Sequence, residues 1–101
     1  MIVYVSIGNS DDKLTQKEWA AFCEAVDGAL DAENNGPVSG RHGFWASAAT
    51  AEWQNACWCV VVSDKRVAEL QAWLCDIAEE FRQDSIAWAE VKRTTYLEPM
   101  K

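Results

Sequence analysis

Apolar and polar positions along this chain change their period in a readable order. Residues 2–7 alternate, with Val3, Val5 and Ile7 on one side and Tyr4 and Ser6 on the other, which predicts a strand. After a polar stretch, Thr15 opens Thr-Gln-Lys-Glu, a capping box with Glu18 at its third position. Leu14 and Trp19 stand where a hydrophobic staple would hold that first turn. The helix so begun keeps Trp19, Phe22, Cys23, Val26 and Leu30 on one stripe, and Asn34-Asn35-Gly36-Pro37 stops it. Residues 41–47 alternate weakly and residues 56–62 form a continuous β-prone run, which together predict a hairpin with a long loop. Asp64 is placed to cap a second helix, with Val67, Leu70, Leu74, Ile77 and Phe81 inward and Trp73 at the edge of the stripe. That helix should end near Arg82. Residues 85–91 alternate as a last strand, and a short tail runs through Tyr96 to Pro99.

The order strand, helix, strand, strand, helix, strand predicts a single α+β domain of the ferredoxin-like βαββαβ type. In it two helices cover one face of a four-stranded antiparallel sheet, the first and third strands are central, and the other face is bare. Alternation then assigns side chains to the bare face. With Val3, Val5 and Ile7 inward, Tyr4 is outward; Phe44 and Ala46 inward put Trp45 outward; Ala87, Ala89 and Val91 inward put Ile86 and Trp88 outward. Trp58 stays unassigned, because its strand is apolar on both sides. Tyr4, Trp45 and Trp88, with Trp58 as an open fourth member, make up the expected aromatic patch.

Composition turns that patch into a functional expectation. Six tryptophans in 101 residues exceed what so small a core can hide, and Trp and Tyr are the residues most enriched at binding surfaces. A contiguous patch of them marks an interaction site, with a second copy of the chain or a different protein as its occupant; the chain's own C-terminal tail is the other candidate cover. RNA-recognition domains stack bases on a face of the same geometry. Sixteen acidic against nine basic residues, a formal charge of −7, oppose a phosphate backbone, and the basic, glycine-rich signature of such domains is missing. Direct nucleic-acid binding is therefore not expected, whereas a basic protein partner suits the charge. No apolar run approaches the ~20 residues that span a bilayer. The apolar N-terminal stretch lacks the basic flank and the length of an export signal, so the four cysteines are expected as reduced thiols in the cytoplasm.

Two polar constellations add candidates. Asn9, Asp11, Asp12 and Lys13 leave the first strand and Gln83 and Asp84 enter the fourth, so both loops should meet at one end of the sheet. Asp64, at the exit of the third strand, is expected near them, because the first and third strands are expected to run parallel. The carboxylates of Asp11, Asp12, Asp64 and Asp84 suit a hard cation such as Mg²⁺ or Ca²⁺, and with Asn9, Lys13 and Gln83 they suit a small polar ligand, which gives the alternative function; Asp and Asn also make turns and caps. Trp53, Gln54 and Asn55 are expected at the opposite end, with Trp53 as an anchor and the two amides as donors to a partner's backbone. Cys57 and Cys59 share one side of their strand, but two thiols and one distant His42 make a poor zinc set. His42 is the sole histidine, and the five glycines follow no phosphate-loop spacing. No catalytic residue, metal ligand or cofactor is assigned.

Residues 8–14 (Gly-Asn-Ser-Asp-Asp-Lys-Leu), 53–59 (Trp-Gln-Asn-Ala-Cys-Trp-Cys) and 82–88 (Arg-Gln-Asp-Ser-Ile-Ala-Trp) resemble segments of small proteins from actinobacteria and their phages. The resemblance brings no catalytic residues. It implies binding and blocking of a host factor, such as a defence nuclease with a basic groove. The first strand and its loop, residues 4–13, are also similar to the opening of the small CRISPR-associated nucleases of ferredoxin-like fold. Where that family carries an aspartate at the strand end, this chain has Ser6 or Gly8.

Overall fold

The computed structural model describes residues 1–9, 13–48 and 50–100. In chain order the elements are β1 (Ile2–Gly8), α1 (Gln16–Ala29), β2 (Val38–Ala46), β3 (Asn55–Val62), α2 (Val67–Glu80) and β4 (Ala87–Glu90). A single 3₁₀ turn at Asp64–Arg66 leads into α2. The strands lie in the order β2-β3-β1-β4 and each neighbouring pair is antiparallel. This is the ferredoxin-like βαββαβ layout that the hydrophobic periods predict.

Local chemistry sets the boundaries. The Glu18 amide donates to Thr15 Oγ1 and the Thr15 amide donates to Glu18 Oε1, each at 3.1 Å, so the predicted capping box starts α1. Leu14 is buried and Trp19 packs against the same core, as a staple requires. Beyond α1, Asn34 Oδ1 accepts from the Gly36 amide at 2.8 Å, its Nδ2 donates to the Gly28 carbonyl at 2.7 Å, and Asn35 takes a positive φ of 58°. Asn tolerates that region better than other residues with a Cβ. At the end of α2 the Arg82 and Gln83 amides donate to the Glu79 and Ala78 carbonyls, the paired bonds of a Schellman turn. Arg82 occupies its left-handed position with φ 57°, where glycine is usual.

The core lies between the sheet and the helices. Val3, Val5 and Ile7 of β1, Trp58, Val60 and Val62 of β3, Phe22 and Val26 of α1, and Leu70, Leu74 and Ile77 of α2 form one buried cluster. Trp58, which the pattern leaves unassigned, has no exposed surface. Its register with Val5 fixes it on the helix side, and its indole Nε1 donates to Asp27 Oδ1 on α1 at 2.9 Å. A buried indole N–H needs such a partner.

Two expectations are corrected by the sheet. The first concerns Asp64. The β1–α1–β2 crossover brings β2 back parallel to β1, and the hairpin then turns β3 against it, so β1 and β3 are antiparallel. The exit of β3 therefore meets the start of β1: the Met1 amine donates to the Val62 carbonyl at 3.1 Å and lies 3.4 Å from Asp64 Oδ1. Asp64 is thus at the far end of the sheet from Gly8 and Asn9. Nor does it cap α2, whose start has no side-chain cap. Arg66 holds that start instead, donating to both Glu69 carboxylate oxygens and to the Asn35 and Gly36 carbonyls.

The second correction concerns β4. Trp88 pairs in register with Val5, and cross-strand partners point the same way, so Trp88 and Ile86 face the helices and pack against the core. Ala87 and Ala89 face outward. Four alternating residues do not fix their own phase; the space beside α2 does, because it takes the large side chains and leaves the small ones out.

Candidate functional site

The bare side of the sheet is built from the alternate residues that the core does not take. Register places them in two rows across the strands: Trp45, Cys57, Ser6 and Ala87 in one, and Gly43, Cys59, Tyr4 and Ala89 in the next. Ile2 and Val61 continue the same face toward the other end. Tyr4 keeps 46% and Trp45 59% of its surface exposed. The residues between them are small, so the two rings stand above a shallow floor of thiol, methyl and backbone. Neither row contains a charged side chain.

Tyr4 and Trp45 are the two members of the expected patch that lie on this face. Trp88 and Trp58 are core residues. Phe44 has the inward phase expected for it, but on the edge strand it covers Trp58 from outside, with ring centroids 5.0 Å apart. Ser6, Gly43, Cys57, Cys59, Ala87 and Ala89 complete the surface, and the sequence reading did not name them as a site. The Cys-x-Cys spacing was the available signal, since residues two apart on a strand share a side.

The phenol of Tyr4 has its pKa raised, chiefly by a hydrogen bond with the Cys59 thiol and then by the charge that thiol can carry. Tyr4 is therefore neutral throughout the ordinary pH range. Cys57 and Cys59 are free and half-buried. Cys23 differs: burial and the nearby Asp27 carboxylate push its thiol up to about 11. A thiol so placed stays protonated and unreactive at neutral pH.

The Trp53–Asn55 segment lies elsewhere than expected. Asn55 pairs with Gly8, and the Asn9 amide donates to the Gln54 carbonyl at 2.9 Å, so this segment shares the end of the sheet with the Asn9 loop. The same antiparallel pairing that moves Asp64 away brings it there. The Gln54 carboxamide is engaged within the chain: its oxygen accepts from Asn9 Nδ2 and Gln16 Nε2, and its nitrogen donates to Gln16 Oε1 at 2.7 Å. Asn55 Nδ2 donates to the Trp53 carbonyl and its backbone amide to Ser47 Oγ. The Gln54 side chain is thus held within the chain, whereas Asn55 is exposed. Trp53 is exposed at this end, and Trp73 is exposed on α2.

The loops after β1 and before β4 do meet, as expected: Lys13 Nζ lies 3.5 Å from Asp84 Oδ2. Beside them a cleft of about 370 Å³ is lined by Gly8, Asn55, Gln83 and Asp84 among others. Asn9 takes no part in it. It is buried, accepting from the Leu14 amide at 3.0 Å and donating to the Leu14 carbonyl at 3.1 Å, which is turn chemistry. Gln83 Nε2 donates to the Phe81 carbonyl. Asp11 and Asp12 lie outside the described residues. Among the described residues no three His, Cys, Asp or Glu side chains are grouped to hold a metal ion. No helix among them is long and apolar enough to cross a membrane.

No family model matches the chain, and no curated protein or solved structure matches it either.

Proposed function

We propose that the chain is a protein-binding domain whose recognition surface is the uncovered sheet face. What supports this is the chemistry of the two rows. In a chain with a quarter of its residues charged, they carry none, and they hold Tyr4 and Trp45 half-exposed over small neighbours. An apolar surface of this kind is the ordinary mark of an interaction site, and two rigid rings standing over a floor of small side chains give a partner's apolar residues shallow sites to fill. The partner presents apolar or aromatic side chains to this floor and a basic rim to the acidic remainder of the molecule. The resemblance to phage proteins fits a basic host factor in that role.

The test is affinity capture with the wild type beside Tyr4→Glu/Trp45→Glu, with Trp53→Ala/Trp73→Ala as the comparison. Tyr4 and Trp45 are exposed, so melting temperatures should stay close to wild type. The expected outcome is a partner retained by the wild type and the Trp53/Trp73 variant and lost from the sheet-face variant. A partner held equally by all three would end the proposal.

A further inference from the structure

A second surface lies on the opposite side of the sheet. The edge strand β4 and the helix α2 do not close on each other, and between them runs a cleft of about 510 Å³ floored by Leu74, Ala78, Ile86 and Trp88. Glu79 and Asp84 stand on its border. The last turn of α2 carries no basic residue, and Arg82, just beyond its cap, pairs with Glu18 of α1. The outer backbone edge of β4 is unpaired, since β4 is the last strand of the sheet.

The segment after β4 has the complementary character. The Val91 amide donates to the Ile2 carbonyl at 2.9 Å, and residues 92–100 then run without helix or strand. Tyr96, Leu97 and Met100 are 86%, 91% and 98% exposed, more than any other large apolar side chains described. Lys92, which pairs with Glu90 of β4, Arg93 and Lys101 against Glu98 give residues 92–101 a basic balance, so the rest of the chain is more acidic than the net −7. Thr94-Thr95-Tyr96-Leu97 is β-prone. It contains no glycine, asparagine or aspartate, and the first proline is Pro99. A hairpin back onto its own β4 would need such turn residues directly after Val91.

We infer that the segment 92–100 of one copy docks on the β4 edge and α2–β4 cleft of a second copy, making a reciprocal dimer. As an added strand it pairs with the free edge of β4, and alternation sends one of Tyr96 and Leu97 into the cleft and the other over Ala87 and Ala89. A two-fold axis lets each copy give and receive the same segment. The exchange occupies the cleft, the outer edge and the Ala87–Ala89 margin of the bare face beside Tyr4, and it leaves Trp45, on the far edge strand, uncovered.

Sedimentation of the full chain across a concentration series tests this. The wild type should dimerise, and Tyr96→Ser/Leu97→Ser should weaken self-association by at least about 100-fold, since four large apolar side chains in each dimer lose their burial. Both residues are exposed within one chain, so the variant folds. Cys75→Arg, an exposed position on the cleft, should weaken it as well, by placing a cation before the basic segment. Trp45→Glu, on the far edge strand, should leave it unchanged. A mixture of the segment variant with the Cys75→Arg variant should regain part of the dimer, each supplying what the other lacks. A wild type that stays monomeric at high concentration overturns the inference. So does a dimer that survives the segment variant or the cleft variant, or one lost through Trp45→Glu.

Discussion

Asp27 shows how one surface carboxylate can serve the core. It sits on α1, accepts from the Trp58 indole at 2.9 Å and from Arg41 Nη1 at 2.8 Å, and its own carbonyl accepts from Arg41 Nη2. Removing it strands a polar N–H inside an apolar cluster, whereas removing Arg41 costs only an exposed ion pair. Asp27→Ala should therefore lower the free energy of unfolding by about 2 kcal/mol and Arg41→Ala by less than about 1 kcal/mol. Urea titrations of the two variants against the wild type measure the difference. Equal losses would show that the indole bond contributes nothing of its own. The pair was not legible in the sequence, because Asp27 and Trp58 are joined only when α1 crosses β3. Nothing in a helix's polar face says which carboxylate will find an indole.

Among the elements, α1 was the most readable, because its start, stripe and stop are each written in adjacent residues. Its capping box also carries a pH dependence. The Glu18 carboxyl is held below its ordinary value of 4.5, first by the Thr15 backbone amide, with further help from the Thr15 hydroxyl and the Arg82 charge. A carboxyl with a lowered folded pKa contributes stability that is present above its unfolded value and lost as pH falls through the folded one. Between neutral pH and pH 3 the wild type should lose more stability than Glu18→Gln, and the two curves should converge at the acid end. Thermal melts at a series of pH values check this; parallel curves would contradict it. β4 was the least readable element. With four residues and no turn chemistry of its own, its phase belongs to β1 and α2, and so Trp88 passed from the expected patch into the core.

At the scale of the whole molecule, the fold class followed from the order of periods, and half of the aromatic site followed from alternation on β1 and β2. What failed was the relation between ends of the sheet. Strand direction depends on how many reversals separate two strands, and one such count, between β1 and β3, misplaced both Asp64 and the Trp53–Asn55 segment. Side-chain commitments failed for a second reason. Asn9 and Gln54 look like free amides in a sequence, but each satisfies backbone or side-chain groups that folding would otherwise bury unpaired.

The uncharged rows around Tyr4 and Trp45 sit within a strongly acidic molecule, and this separates what salt can change from what it cannot. The equilibrium contact is dehydration of apolar surface, so partner binding should release heat capacity, with a negative ΔCp in calorimetry. The long-range field acts on encounter alone. Raising ionic strength from low to 0.5 M should slow association with a basic partner while the dissociation rate hardly moves. Stopped-flow traces at the two salts would read this directly, and a dissociation rate that climbs with salt would mean that ion pairs hold the complex. On the first outcome, the acidic surface decides how often a partner arrives and the sheet decides how long it stays.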